Sequence, residues 1–323
     1  MVEASIPKKI LLFGATGVIG KDIVDALVEA QSSFEKIGIF TSPGTAKSKA
    51  DFIEKLKNSG VEVVVGDVNS AADVSKAYEG YDTVISVLGR NVLLAQVPLL
   101  SLAATSPTIH TFYPSEYGTD IEYNAASAAE KPHQMKLAVR KHIRENIDTA
   151  KLHITYLVTG PYSDLYIGKM HHDAAVEAGS FDVLGKKAVL LGTGQERASF
   201  TTMRDVGVLL VAALKTSTAE KERLLKVNSF TTTPNAILAE FERQTGGKWE
   251  ARYTSLDKLK ELEKQAWEGQ SPISAVYTLR RIWTEGGTLY EGRDNGKIGE
   301  PGLETLEEQV RKQIQIQGGT LNG

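Results

Sequence analysis

The chain has 323 residues, 41% of them apolar and 24% charged, enough to bury the core of one large α/β domain or two modest ones and too apolar for a disordered chain. A net charge of −3 with six scattered histidines leaves no electrostatic footprint for nucleic acid or an anionic membrane surface. Cysteine is absent, which excludes a disulfide framework, a thiolate nucleophile and a Cys-ligated zinc or iron–sulfur centre.

The N-terminal "MVEASIPKK" leads into a strand without a signal-peptide core, and no apolar run is long enough to span a bilayer. The expectation is a soluble, cytoplasmic protein that contacts no membrane. The first strand, Ile10 to Phe13, is an unbroken apolar run, as in a parallel strand buried on both faces. Gly14, Gly17 and Gly20 follow, and then Ile19, Ile23, Ala26, Leu27 and Ala30 recur at helical intervals. Strand, glycine turn and amphipathic helix in this order predict a dinucleotide site. Its phosphate cradle runs from Gly14 through Ala15, Thr16, Gly17, Val18 and Ile19 to Gly20. Glycine at these positions permits a tight exit from the strand, close backbone approach to a pyrophosphate, and close packing of helix on sheet.

The second strand ends at Phe40-Thr41-Ser42. A site for NAD carries Asp or Glu at this point to bind the ribose 2′-hydroxyl. Here no carboxylate appears before Asp51, while Lys47 and Lys49 follow closely. Thr41, Ser42, Lys47 and Lys49 suit a 2′-phosphate, so the expected cofactor is NADPH.

The pattern then repeats. Residues 61–67 ("VEVVVGD") read as a buried strand, 71–80 as a short helix with a glycine stop, and 82–89 as a fourth strand. The end of that strand, Val87 to Gly89, falls on the carboxyl edge where open α/β sheets bind ligands. A helix over 97–106 and a fifth strand running into a loop over 108–118 complete a doubly wound parallel sheet. Gly160 and Pro161 end a sixth strand beside the expected nicotinamide. Beyond about residue 160 the loops are richer in Gly and Thr, helices are longer and strands fewer. We therefore expect a dinucleotide-binding domain over 1–158 and a smaller substrate lobe over 159–323, partly interleaved with it.

"LLFGATGVIG", "FYPSEYG", "HQMKLAVRKHI", "ITYLVTGPY" and "SFTTMRDVG" occur in that order. Together they resemble the NmrA-like atypical short-chain dehydrogenases, in particular the isoflavone reductase and phenylcoumaran benzylic ether reductase branch. The resemblance is strongest over residues 8–210. It implies an NADPH-dependent reductase of small aromatic or phenolic molecules. Lys136 would be its proton-transfer residue, Arg140 its cofactor-contacting arginine one turn later, and Lys49 a contact to the 2′-phosphate. The arginine that many members carry at the end of the second strand is absent, since Thr41-Ser42 stands there. A second reading within the family is an NADP(H)-binding redox sensor that regulates a partner without turnover.

The residues around Lys136 bear on that choice. Pro132 occupies the place, four residues earlier, of the tyrosine used by short-chain dehydrogenases proper, and it has no proton to give. It reads as a first-turn helix residue. Met135, Val139, Ile143 and Ile147 form an apolar stripe that seats the helix on the sheet, with Lys136 and Arg140 one turn apart beside it. An enclosed lysine there has its pKa lowered by desolvation and by the like charge of Arg140, which suits a general acid or base. Ser115, Glu116 and Tyr162 are candidate substrate contacts, against the alternatives of a turn pair and of core packing. The adjacent His171 and His172 would diverge on a helix and have no suitably spaced third ligand, so no metal is expected. The absence of a G-x-S-x-G elbow argues against a hydrolase.

Overall fold

The computed structural model describes residues 6–170, 173–290 and 292–321. In its first half, strand and helix alternate: β1 (Lys9–Phe13), α1 (Gly20–Glu29), β2 (Lys36–Thr41), α2 (Pro43–Ser48), α3 (Ala50–Asn58), β3 (Glu62–Val65), α4 (Ala71–Tyr78) and β4 (Thr83–Ser86). Then come α5 (Gln96–Thr105), β5 (Thr111–Tyr113), α6 (Gln134–Asn146) and β6 (His153–Val158). The central sheet has the order β10-β6-β5-β4-β1-β2-β3, with β10 at Glu222–Lys226, and every pairing in it is parallel. The order reverses between β1 and β4, which creates the crevice where such sheets bind ligands.

Alternate residues of β1 feed two cores. Ile10 and Leu12 pack with Ile23, Val24 and Leu27 of α1, whereas Leu11 and Phe13 pack against Val74, Leu99, Val139 and Ile143 on the other face. Both faces are therefore covered, as an all-parallel sheet requires. The valine run of β3 departs from expectation. Its residues are exposed or half-buried, because β3 is the outermost strand and only one edge and part of its faces are covered.

After β6 the chain enters α7 (Ser163–Tyr166), β7 (Ser180–Asp182), β8 (Lys187–Leu191) and β9 (Ala198–Phe200). It then returns through α8 (Met203–Lys215), which packs on α1, and through β10 on the far edge of the sheet. The remainder is β11 (Phe230–Thr232), α9 (Pro234–Thr245), β12 (Glu250–Thr254), α10 (Leu256–Glu268), α11 (Ser274–Thr284) and α12 (Leu306–Ile316). Strands are not fewer here, contrary to expectation. β7 to β12 are three to five residues long, too short to leave a readable alternation. A separate core that includes Phe181, Phe200, Phe241, Tyr277 and Ile314 holds this lobe together. Among the described residues no helix is long and apolar enough to cross a membrane.

Candidate active site

The loop between β1 and α1 lies against the end of β4. Gly14 has φ +90°, and a Cβ there would stand 2.4 Å from the Val87 carbonyl oxygen; at Gly20 a Cβ would stand 2.1 Å from the carbonyl oxygen of Gly14. Neither position admits a side chain. Ile19, at the N-cap of α1, offers no side-chain hydrogen bond to the first turn. By contrast Ser42, Ser70, Thr202, Thr233, Ser255 and Thr305 cap their helices. The N-terminus of α1 thus carries no side-chain cap, and an anion there would meet the positive field of the helix terminus. These features fit a pyrophosphate.

Thr41 is buried at the end of β2, next along the edge, since Phe40 pairs with Phe13. The Ser42 hydroxyl accepts the Thr45 N–H at 3.1 Å and so starts α2. Lys47 in α2 and Lys49 just after it are exposed, and neither makes an ion pair among the described residues. None of these four residues lines the main cavity described next.

That cavity, of about 1240 Å³, runs from Gly17, Val18 and Ile19 past Val87, Leu88 and Gly89 into the C-terminal lobe. Three loops meet on its floor. The Ser115 hydroxyl donates to the Leu88 carbonyl at 2.9 Å, and the Ser115 N–H donates to the Gln96 side chain at 2.7 Å. Thr159 and Gly160 both donate N–H groups to the Gly118 carbonyl, at 3.2 and 2.8 Å. Tyr162 donates its hydroxyl to the Tyr117 carbonyl at 2.6 Å. Ser115, Gly160, Pro161 and Tyr162 all line the cavity.

Lys136 stands in the first turn of α6 and lines the same cavity. Its side chain is 18% exposed, and its Nζ donates to the Glu116 carbonyl at 3.1 Å and lies 4.0 Å from the Glu116 carboxylate. Burial lowers its pKa, the Glu116 carboxylate opposes that shift, and Arg140 adds to it. The helix is seated as expected, with Val139 and Ile143 buried and Met135 and Ile147 packed beside them. Pro132, however, lies in a separate 3₁₀ turn, Lys131–His133, that precedes α6.

Arg140 and Glu116 do not reach the cavity. The Arg140 guanidinium donates to both carboxylate oxygens of Glu116, at 3.1 and 3.2 Å, and to Glu122 at 2.6 Å. Two carboxylates claim it from below, which turns it away from the crevice. The two residues form a buried ion pair under the floor, with Lys136 above them. His171 and His172 lie outside the described residues.

Many cavity residues escaped the sequence reading, among them Arg90, Tyr117, His133 and Arg280. Tyr117 lines the cavity, and its buried hydroxyl has no hydrogen-bond partner among the described residues. His133 lines it too: its Nδ1 lies 3.0 Å from the Ser127 carbonyl, which only accepts, so Nδ1 carries the proton and the unpartnered Nε2 is left as an acceptor. Burial lowers the His133 pKa. Arg280 lines the wall supplied by α11. Tyr117 and His133 stand inside the two most informative motifs, "FYPSEYG" and "HQMKLAVRKHI". Nothing local in the sequence marks Arg280.

A parallel sheet whose order reverses beside a glycine cradle, with an uncapped helix terminus and an adjoining apolar cavity, defines a Rossmann-type dinucleotide-binding protein. The chain belongs to the NmrA-like family, whose sequence profile matches residues 7–283. It is 27% identical over 288 residues to an isoflavone reductase homolog of Arabidopsis thaliana, covering 88% of this chain and 89% of that one. It is 28% identical over 258 residues to a phenylcoumaran benzylic ether reductase of Nicotiana tabacum, covering 79% and 80%. Its fold matches that of a binary complex of leucoanthocyanidin reductase and NADPH from Vitis vinifera with a TM-score of 0.76 at 21% identity, over 95% of this chain and 99% of that one. The family expected from the order of the motifs is therefore the family found.

Proposed function

We propose that the chain is a cytoplasmic NADPH-dependent reductase of a small aromatic substrate, with Lys136 as its general acid or base. The observation that carries this reading is the position of Lys136: a desolvated amine in the wall of a largely apolar cavity that opens onto the glycine cradle. The curated relatives, named as reductases of isoflavones and of phenylcoumaran benzylic ethers, support the substrate class.

When bound, NADPH supplies a hydride. The segment Gly14–Gly20 holds the pyrophosphate, and Thr41, Ser42, Lys47 and Lys49 take the 2′-phosphate. Val87, Gly89, Gly160 and Pro161 bound the space for the nicotinamide, and Tyr162 and Tyr117 flank the substrate. Lys136 Nζ takes a proton from a phenol, or gives one to a developing oxyanion, a role worth roughly 10²–10⁴-fold in rate. Arg140 and Glu116 serve beneath it as positioning residues.

The test is NADPH absorbance followed over time against quinones, phenolic ethers, aromatic ketones and aldehydes. Consumption well beyond one equivalent of enzyme is expected. Binding of NADPH with no consumption across the panel would contradict the reductase and favour a redox sensor.

A further inference from the structure

Arginine occurs twice in succession on α11, in contrasting surroundings. Arg281 is paired with three carboxylates: Glu130 and Glu263, each at 2.6 Å, and Glu285 at 2.9 Å. These bonds fasten α11 to α10 and to the turn that leads into α6. Arg280, one position earlier, is only 3% exposed, and no carboxylate among the described residues pairs with it. Its guanidinium donates to the carbonyls of Leu165 and Tyr166, at 3.0 and 3.4 Å, and stacks on the rings of Tyr166 and Trp283, at 4.0 and 5.5 Å.

A guanidinium has five N–H donors and stays charged at neutral pH. Two carbonyls and two ring faces hold the group in place without cancelling its charge. Burial without an anion disfavours the charged form and pulls the Arg280 pKa down to about 10. The surrounding wall is apolar, formed by Leu165, Val276, Leu279 and Trp283. The two carboxylates that also line the cavity are otherwise engaged: Asp164 accepts the Met203 N–H at 2.8 Å, and Asp182 is paired with Lys169 at 2.7 Å.

From this uncompensated cation in an apolar wall, we infer that the substrate is an aromatic molecule bearing an anionic substituent, a carboxylate, which Arg280 receives while the ring lies against Trp283 and Leu279. The inference rests on the reductase reading for what happens next, but not for binding. A fixed guanidinium fork matches a carboxylate bidentately, and its aromatic neighbours match a ring attached to that carboxylate. The alternative is a purely structural tie between α11 and the end of α7. Arg223 exemplifies such a tie: it is buried, lies away from the cavity, and donates to the Ala213 carbonyl at 3.2 Å.

The experiment titrates the NADP⁺-saturated protein at pH 7 with benzoates, phenylacetates and cinnamates and with the methyl ester of each, by calorimetry and tryptophan fluorescence. At least one acid should bind tenfold or more tightly than its ester, and Arg280→Gln should abolish that preference while NADP⁺ affinity is kept. If no acid binds, or if esters bind as tightly as acids, Arg280 is a structural tie and the inference is overturned. Arg90 and Lys136 also line the cavity, so the preference must persist in Arg90→Gln and in Lys136→Gln; its loss in either of them overturns the inference even if Arg280→Gln fails to fold. Turnover is read separately. A preferred acid that binds without NADPH consumption keeps the anion site and removes the reductase, whereas equal turnover of acids and esters does the reverse.

Discussion

Lys136 is held twice by one residue, through the Glu116 carbonyl at 3.1 Å and the Glu116 carboxylate at 4.0 Å. The carboxylate is the largest influence raising the lysine pKa against the effect of burial. Removing it lowers that pKa further, and an Arg140 with one anion fewer pushes the same way. In Glu116→Gln the limb of the pH–rate profile set by Lys136 is therefore expected to move to lower pH, whichever way the proton travels. A limb that stays in place would show that another group titrates there. At the other end of the site, Lys47 and Lys49 pair with no carboxylate among the described residues. Replacing both with Ala should weaken NADPH by about 1.5 kcal/mol or more, roughly tenfold, and leave NADH almost unchanged. Titration of each cofactor checks this, and equal losses for the two would remove these lysines from the 2′-phosphate site.

At the scale of elements, α1, the helix that follows the glycine cradle, packs closely on α8. A Cβ at Gly207 would stand 2.6 Å from the Asp22 carbonyl oxygen and 2.7 Å from the Ala26 Cβ. Gly207→Leu is expected to destabilise the fold by about 1–3 kcal/mol through overpacking. Gly302→Ala, with open space around it, should be close to neutral. Denaturant midpoints measure both, and an unchanged midpoint for Gly207→Leu would mean that the helices are not so tightly joined.

The elements also show what a sequence can disclose. β1, the glycine turn and α1 were legible because strand run, turn residues and helical period are local and adjacent. The exposure of β3 was not, since an edge strand and a central one share the same valine run and only the sheet order separates them. The diversion of Arg140 was hidden for a similar reason. Its partners Glu116 and Glu122 lie 24 and 18 residues away, and helical spacing placed it beside Lys136 without showing what lay beneath. Arg280 and Arg281 look alike in the sequence and differ only in what the fold brings to them.

Over the whole molecule, the cavity lies between the carboxyl edge of the sheet and elements that follow β6. The doubly wound sheet supplies the cradle and Lys136, and the C-terminal lobe supplies the wall that carries Arg280 and Trp283. The chain crosses between them at β6 and returns at α8 and β10, so a cofactor on the sheet and a substrate on the lobe would face each other across Lys136. The most direct measurement is a Lys136→Ala comparison of NADPH affinity and turnover on whichever aromatic substrate the wild type consumes. We expect unchanged NADPH affinity with turnover reduced by about 10²-fold or more. Turnover within a few fold of wild type would contradict the central claim.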